Sequence, residues 1–176
     1  MRYYSYFPGC SSSDGGAAAY GISILSASKA LDIELIELED WNCCGSSPYG
    51  SVNELEATCT AARNLALAEK KGLDLVTPCS ACYVTLNTAN LRLKEHPHLK
   101  EQVNEALAAA NLKYNGGVRV RHLVEVLFTD ITPGGIASRV KKKLNFDEVF
   151  PGSTEHHPTQ KKLKVLSKQM FNKYII

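Results

Sequence analysis

Residues 73–82 read LDLVTPCSAC, and this short stretch decides how the rest of the sequence is interpreted. The run at 73–77 predicts a β-strand, because short apolar runs with β-branched residues that stop at a proline are typical of strands. Pro78 ends the strand, and the pair Cys79 and Cys82 follows at once in a C-x-x-C spacing. Helical sequence then continues through Leu93. The stretch therefore predicts a strand that delivers two thiols to the start of a helix.

The same arrangement occurs twice earlier in the chain. Residues 2–7 are rich in tyrosine and phenylalanine and predict a strand that ends in a proline–glycine turn, with Cys10 directly after it. Residues 34–38 predict a second strand, which ends just before the adjacent pair Cys43 and Cys44. Each of the first three predicted strands is thus followed by cysteine.

The segments between these strands have helical spacing of their apolar residues. We predict helices over 16–31, 53–71, 83–93, 99–112 and 123–131, and a fourth short strand over 118–120. Alternating strands and helices are typical of an α/β protein with a parallel sheet. We expect a Rossmann-like parallel sheet flanked by helices, whose C-terminal strand ends bring the cysteines to one crevice.

Length and composition exclude several other classes of protein. The chain has 176 residues, of which 44% are hydrophobic and 22% charged, which suits one globular core. No window holds 18 uninterrupted apolar residues, so we expect no membrane span. The N-terminus lacks the apolar core of a signal peptide, and we expect a cytoplasmic protein. In that compartment six cysteines indicate metal or redox chemistry rather than structural disulfides.

The net charge of +2 conceals an uneven distribution. Residues 139–176 carry nine Lys and Arg against three acids, or +6, whereas residues 1–138 carry eleven against fifteen, or −4. A nucleic-acid interface needs its positive charge on a structured face with stacking aromatic residues. The basic residues here lie in a poorly patterned terminal stretch, so we expect no nucleic-acid partner.

Five thiols at loop positions allow more than one chemistry. They exceed the four ligands of a tetrahedral zinc site, and adjacent cysteines suit an iron–sulfur cluster, whose irons take ligands from several directions. A structural zinc module without catalysis and a thiol–disulfide exchanger using Cys79 and Cys82 stay open as alternatives. Cys59 lies at helical spacing and is expected to pack in the core. His122 is expected to be a satisfied structural histidine.

Four stretches together resemble the cysteine-rich CCG domain of the heterodisulfide reductase B subunit. They are FPGC at 7–10, NCCG at 42–45, PCSAC at 78–82 and VRHLVEVL at 120–127. The resemblance covers about residues 1–130, which we interpret as a CCG iron–sulfur domain. The double cysteine followed by glycine is its most distinctive part.

The resemblance implies a cofactor, partners and a substrate. It implies one noncubane [4Fe-4S] cluster with five ligands, namely Cys10, Cys43, Cys44, Cys79 and Cys82. Zinc is the metal expected at these thiols if the cluster is lost. The implied partners are proteins like the C and A subunits of heterodisulfide reductase, through which electrons arrive. The implied substrate is a small-molecule disulfide, either the heterodisulfide of coenzyme M and coenzyme B or a similar compound.

One departure from the family pattern concerns the second half. The methanogen enzyme has two CCG domains in tandem and splits its substrate between two clusters. Here FPGS at 150–153 echoes FPGC at 7–10, but no second CCG or C-x-x-C follows. We interpret residues 131–176 as a truncated or diverged start of a second CCG domain with a basic tail, irregular or helical through Leu163, Leu166 and Met170. We expect full activity only with a partner chain or a second copy; otherwise the chain relays electrons or is inactive.

Overall fold

The computed structural model describes residues 1–13 and 17–141, and the chain divides into two compact units, Met1–Val126 and Leu127–Ile176. The described part of the first unit has four strands, β1 (Arg2–Tyr6), β2 (Ile33–Glu37), β3 (Leu75–Thr77) and β4 (Val120–His122). Its helices are α1 (Cys10–Ser13), α2 (Ala18–Ala30), α3 (Glu54–Lys71), α4 (Ser80–Glu95), α5 (Pro97–Ala108) and α6 (Leu123–Val126), with a 3₁₀ turn at Pro48–Ser51. The described part of the second unit has a π-helical turn, Leu127–Ile131, and α7 (Thr132–Ala137).

All four strands pair in parallel, in the order β2-β1-β3-β4. The register places Tyr6 of β1 opposite Glu37 of β2 and Val76 of β3, and Thr77 of β3 opposite His122 of β4. The C-terminal ends of the strands therefore share one edge, as in other parallel sheets. The predicted α/β fold, a parallel sheet with flanking helices, is confirmed.

The core lies between the sheet and the helices α3, α4 and α5. Phe7 and Leu75 from the sheet side meet Leu65 of α3, Leu86 of α4 and Val103 of α5, and all five side chains are fully buried. At about 25 cal/mol per Å² of apolar surface, burial of each such side chain stabilises the fold by about 1.5–3 kcal/mol. This core therefore holds the strand ends rigidly with respect to α3 and α4.

The ends of α3 follow from its sequence. The Asn53 side chain accepts a hydrogen bond from the Glu56 backbone N–H at 3.2 Å and so caps the N-terminus. Gly72 ends the helix in the left-handed conformation with φ of 66°, which costs glycine little. Lys70 and Lys71 in the last turn complement the helix dipole. Both ends agree with the predicted helix over 53–71.

Several predicted boundaries differ from the structure, and the contacts explain two of the differences. The fourth strand begins at Val120 rather than at residue 118, because the Val118 carbonyl accepts the side-chain amide of Asn90 at 3.1 Å. The helix predicted to reach residue 112 ends at Ala108, because Asn111 adopts a positive φ of 53° and closes the helix end. Asparagine tolerates that conformation better than most residues do.

The prediction of an irregular or helical basic tail falls on residues 142–176, which lie outside the described residues. Across 1–13 and 17–141, every helix falls short of the length and apolar content that crossing a bilayer requires.

The loop between β2 and α3 is fixed by a buried amide. Asn64 of α3 is fully buried, its Oδ1 accepts the Asn42 N–H at 3.0 Å, and its Nδ2 donates to the Asn42 carbonyl at 3.0 Å. The Asn42 side chain in turn donates to the carbonyls of Thr60 and Cys43, at 3.1 and 2.8 Å. Both the N–H and the carbonyl of Asn42, the residue before the adjacent cysteines, are thus hydrogen-bonded to α3.

We expect Asn64→Leu to lower the free energy of unfolding by about 2–4 kcal/mol, because two backbone groups of Asn42 lose their partners in a part-buried place. Urea unfolding of the reduced, metal-free protein measures the change as a lower midpoint with an unchanged slope. The exposed amide Gln102, changed to Leu, is the matched control and should stay within about 0.5 kcal/mol of the wild type. Equal stability of the two variants would contradict the role given to Asn64.

Candidate metal centre

Three strand ends deliver five thiols to one edge of the sheet. Cys10 follows β1 and opens α1, and the adjacent Cys43 and Cys44 lie in the loop after β2. Cys79 follows β3 as the residue before α4, and Cys82 lies in the first turn of that helix. The sequence pattern predicts that these five residues meet, and the structure brings them together.

The thiols form one connected row. Hydrogen-bond contacts join Cys10 to Cys43, Cys43 to Cys44, Cys44 to Cys82 and Cys82 to Cys79. The row therefore links residues from all three strand ends, which lie far apart in the sequence. All five cysteines are free thiols.

Burial varies along this row. Cys44 and Cys82 are only 3% and 4% exposed, Cys79 is partly buried, and Cys10 and Cys43 are exposed. The interior of the protein thus covers the thiols in the middle of the row. Solvent or a partner molecule reaches a group bound there from the side of Cys10 and Cys43.

Backbone N–H groups point at the sulfurs of the adjacent pair. The Gly45 N–H donates to Cys43, and the N–H groups of Ser46 and of Cys44 itself donate to Cys44. Gly45 has a φ of 84°, a left-handed conformation in which side chains other than glycine are strained. These donors favour thiolates over thiols and suit sulfur that carries negative charge.

Gly9 lets β1 approach the other two strand ends. Its φ is 78°, and a Cβ atom there would lie 3.1 Å from the Cys82 Sγ and 3.7 Å from the Cys79 Cβ. Any side chain at this position would therefore enter the space beside the thiols. The absence of a side chain lets the Gly9 backbone lie close to the C-x-x-C pair.

The contacts also give the thiols different pKa values. Hydrogen bonding from the Cys82 thiol lowers the pKa of Cys44 to about 6, and the same contact, together with burial, raises the pKa of Cys82. At Cys43 the Gly45 N–H lowers the pKa, but burial and the neighbouring thiols Cys44 and Cys10 outweigh it and leave the pKa raised. At neutral pH Cys44 is the thiolate that is ready to bind a metal.

The donor set fits a thiolate-bound metal centre of extended shape. It consists of five sulfurs in a row, with backbone N–H groups aimed at two of them and a glycine leaving space beside a third. Within residues 1–13 and 17–141, no group of three Cys, His, Asp or Glu side chains has the arrangement needed to hold a single metal ion.

A cavity of about 320 Å³ adjoins the loop that carries the adjacent cysteines. Gly45 and Ser46, whose N–H groups face the sulfurs, line one side of it, and Thr85 and Thr88 of α4 line another. Arg92, which forms an ion pair with Glu54, lies at its rim and is 46% exposed. The cavity is lined by several hydroxyl groups, and its volume is large enough for a small polar molecule.

Two further residues complete the comparison with the sequence. Cys59 packs partly buried against the core from α3, as its spacing predicts, and burial with the nearby Glu56 carboxylate raises its pKa. His122 was expected to be fully satisfied, and this is wrong: its Nδ1 accepts the Val124 N–H at 3.2 Å, but its buried Nε2 has no partner among the residues that the structure describes. The only signal for His122 in the sequence was its place between the predicted fourth strand, 118–120, and the helix predicted over 123–131.

Comparison with known proteins agrees with this arrangement. The family model described as the cysteine-rich CCG domain matches residues 4–87. A protein of Archaeoglobus profundus, named for its likeness to the heterodisulfide reductase B subunit, is 35% identical over 94% of this chain and 60% of its own length. The 8-methylmenaquinol:fumarate reductase membrane anchor subunit of Wolinella succinogenes is 37% identical over 82% of this chain and 49% of its own length.

A third relative is the B subunit of the ferredoxin/F(420)H(2)-dependent CoB-CoM heterodisulfide reductase of Methanosarcina acetivorans. It is 30% identical over 65% of this chain and 39% of its own length. The chain thus spans between about two fifths and three fifths of the length of these three curated relatives. The cysteine pattern, the matched domain and these relatives lead to one conclusion: residues 4–87 are a cysteine-rich CCG domain, and the chain is similar to proteins like the heterodisulfide reductase B subunit.

Proposed function

We propose that this protein is the iron–sulfur subunit of a heterodisulfide reductase-like oxidoreductase, and that its five thiols hold one noncubane [4Fe-4S] cluster. The observation that supports the proposal is the connected row of Cys10, Cys43, Cys44, Cys82 and Cys79, assembled from three strand ends. The proposed role is to reduce a small-molecule disulfide or to pass electrons within the complex.

The number and spread of the donors favour a cluster over one metal ion. Tetrahedral zinc needs four ligands, whereas this row has five, and the adjacent Cys43 and Cys44 both take part in it. A cluster with several irons accepts ligands from different directions, which suits an extended row. Zinc then becomes the metal expected once the cluster is lost.

The proposed reaction adds two electrons and two protons to a disulfide, breaks its S–S bond and gives two thiols. When bound, the cluster supplies electrons and an iron position for one of the departing sulfurs. The chain's own residues do the rest. Cys44 and Cys82 anchor the buried part of the centre, while the exposed Cys10 and Cys43 leave a side open to the substrate.

The partners follow from the family resemblance and the substrate from the name of one relative, rather than from the geometry. The name of the Methanosarcina acetivorans relative includes the CoB-CoM heterodisulfide, and we propose the same disulfide or a similar one here. We further propose that proteins like the C and A subunits bring electrons in the cytoplasm, and that a partner chain or a second copy provides a second cluster. The hydroxyl-lined cavity beside Gly45 is a suitable place for a polar part of the substrate.

Metal analysis of anaerobically purified protein tests the proposal directly. We expect about four irons and four acid-labile sulfides per chain, and an electron paramagnetic resonance (EPR) signal after mild oxidation. Cys43→Ala should reduce the iron to below about one per chain, because it removes the link between Cys10 and Cys44. Cys59→Ala is the matched control and should keep its iron, since Cys59 packs against the core.

Two outcomes would contradict this proposal. Zinc at about one per chain without iron would indicate a structural module. Thiol–disulfide exchange that survives Cys10→Ala and Cys43→Ala but not Cys79→Ala would indicate a C-x-x-C exchanger.

The low pKa of Cys44 gives a second test, which is made on the metal-free protein. Cys44 should ionise as the pH rises through about 6 and stay protonated below that value, and thiolate ultraviolet absorbance records this step. Cys82→Ala removes the donor that contributes most to the low pKa, so the step should move up toward the ordinary cysteine value of about 8.5. Cys59→Ala should leave the step in place, and an unmoved step in Cys82→Ala would exclude this cause.

A further inference from the structure

Two buried side-chain polar atoms lack a hydrogen-bond partner in the described part of the chain, the Ser5 Oγ and the His122 Nε2. Ser5 is the penultimate residue of β1, whereas His122 is the last residue of β4. A buried donor without a partner is costly, because it has lost its hydrogen bonds to water without gaining another. His122 thus stands out because its unused atom lies at the edge of the sheet where the thiols meet.

The other ring nitrogen shows that the unused atom is a donor. The His122 Nδ1 accepts the backbone N–H of Val124 at 3.2 Å, so in the neutral ring the proton is on Nε2. This backbone contact, made within the turn that leads into α6, also fixes the orientation of the ring. The Nε2–H is therefore a fixed, buried donor.

The surroundings of the ring belong to the C-x-x-C end of the thiol row. His122 pairs in the sheet with Thr77, whose Oγ1 accepts the Cys79 N–H at 3.4 Å. Its ring meets the edge of the Tyr83 ring at a centroid distance of 5.8 Å and an angle of 84°. Tyr83 follows Cys82 directly, and its N–H donates to the Cys79 carbonyl at 2.9 Å. Strand pairing and ring packing both place His122 against the segment that carries Cys79 and Cys82.

We propose that the Nε2–H of His122 donates a hydrogen bond to a sulfur of the group that the five thiols hold, an inference that rests on the proposed function. This donor raises the reduction potential of the centre, because a hydrogen bond to sulfur stabilises the more negatively charged, reduced form. His122 binds no metal in this proposal. It sets the ease with which the centre accepts an electron.

Two amide variants test the donor while keeping a polar side chain. His122→Gln places an amide near the position of Nε2, whereas His122→Asn places it near that of Nδ1. His122→Phe keeps a ring against Tyr83 without any donor. In redox titrations followed by EPR, we expect the Gln variant to titrate close to the wild type. The Asn and Phe variants should titrate at more negative potentials, with the reduced-to-oxidised ratio about tenfold lower at a fixed potential, or about 59 mV for one electron.

A second measurement and a control separate this role from a structural one. Electron–nuclear double resonance of the oxidised protein in H₂O and D₂O should show the exchangeable backbone protons that face Cys43 and Cys44, and beside them one further exchangeable coupling that disappears in His122→Phe and His122→Asn. Ser5→Ala removes the other unpartnered atom and should leave both the potential and this proton unchanged. Iron and sulfide content measured for every sample shows whether the cluster is fully assembled.

The possible results decide clearly between the proposals. A Phe variant with full iron and the wild-type potential overturns the role of His122 and leaves the proposed function intact. Should the Phe variant not assemble a cluster, the Gln and Asn variants decide instead. An Asn variant with the potential and the exchangeable couplings of the wild type overturns the inference. A wild type without iron overturns the proposed function, and this inference falls with it.

Discussion

Parallel pairing of β1 with both β2 and β3 is the constraint on which the candidate metal centre depends. In a parallel sheet each strand must return by a crossover, so all C-terminal ends reach one edge. Cysteines that follow three different strands therefore meet, although helices of 13 and 18 residues separate them in the sequence. An antiparallel pairing of any one strand would send its cysteine to the opposite edge. The fold thus brings the thiols together before any metal contributes binding energy.

Pairing alone brings the strand ends near each other, and the surrounding backbone sets the finer arrangement. Asn64 holds the residue before the adjacent cysteines on both sides, and Gly9 leaves the Cys82 sulfur its space. The N–H groups of Gly45 and Ser46 already point at sulfur. Such preorganisation lowers the cost of binding, since fewer groups have to become ordered when the centre forms. The hydrogen bond from the Cys82 thiol, supported by the Ser46 N–H, explains why Cys44 is ionised more easily than Cys43 and Cys82.

The sequence predicted well what depends on periodicity and on the place of the cysteines. The helix over 53–71 and the three strands before the thiols are where apolar spacing and turn residues put them. Features that depend on contacts between distant residues were not predictable. Asn64 looks like an ordinary polar residue of a helix, and Asn90 gives no sign that it binds the carbonyl that delays β4. His122 looked structural, because only the packed structure shows one ring nitrogen occupied and the other without a partner.

The contact between Cys44 and Cys82 has a consequence for the protein after its metal is gone. A thiolate beside a protonated thiol is the pair from which a disulfide forms most readily once an oxidant is present. We expect air to link these two residues in the empty protein and so to tie the loop after β2 to α4. This bond would brace the fold and block two ligands at once. Regeneration would then need a reductant before iron, and peptide mapping of air-exposed protein would reveal the linked segments.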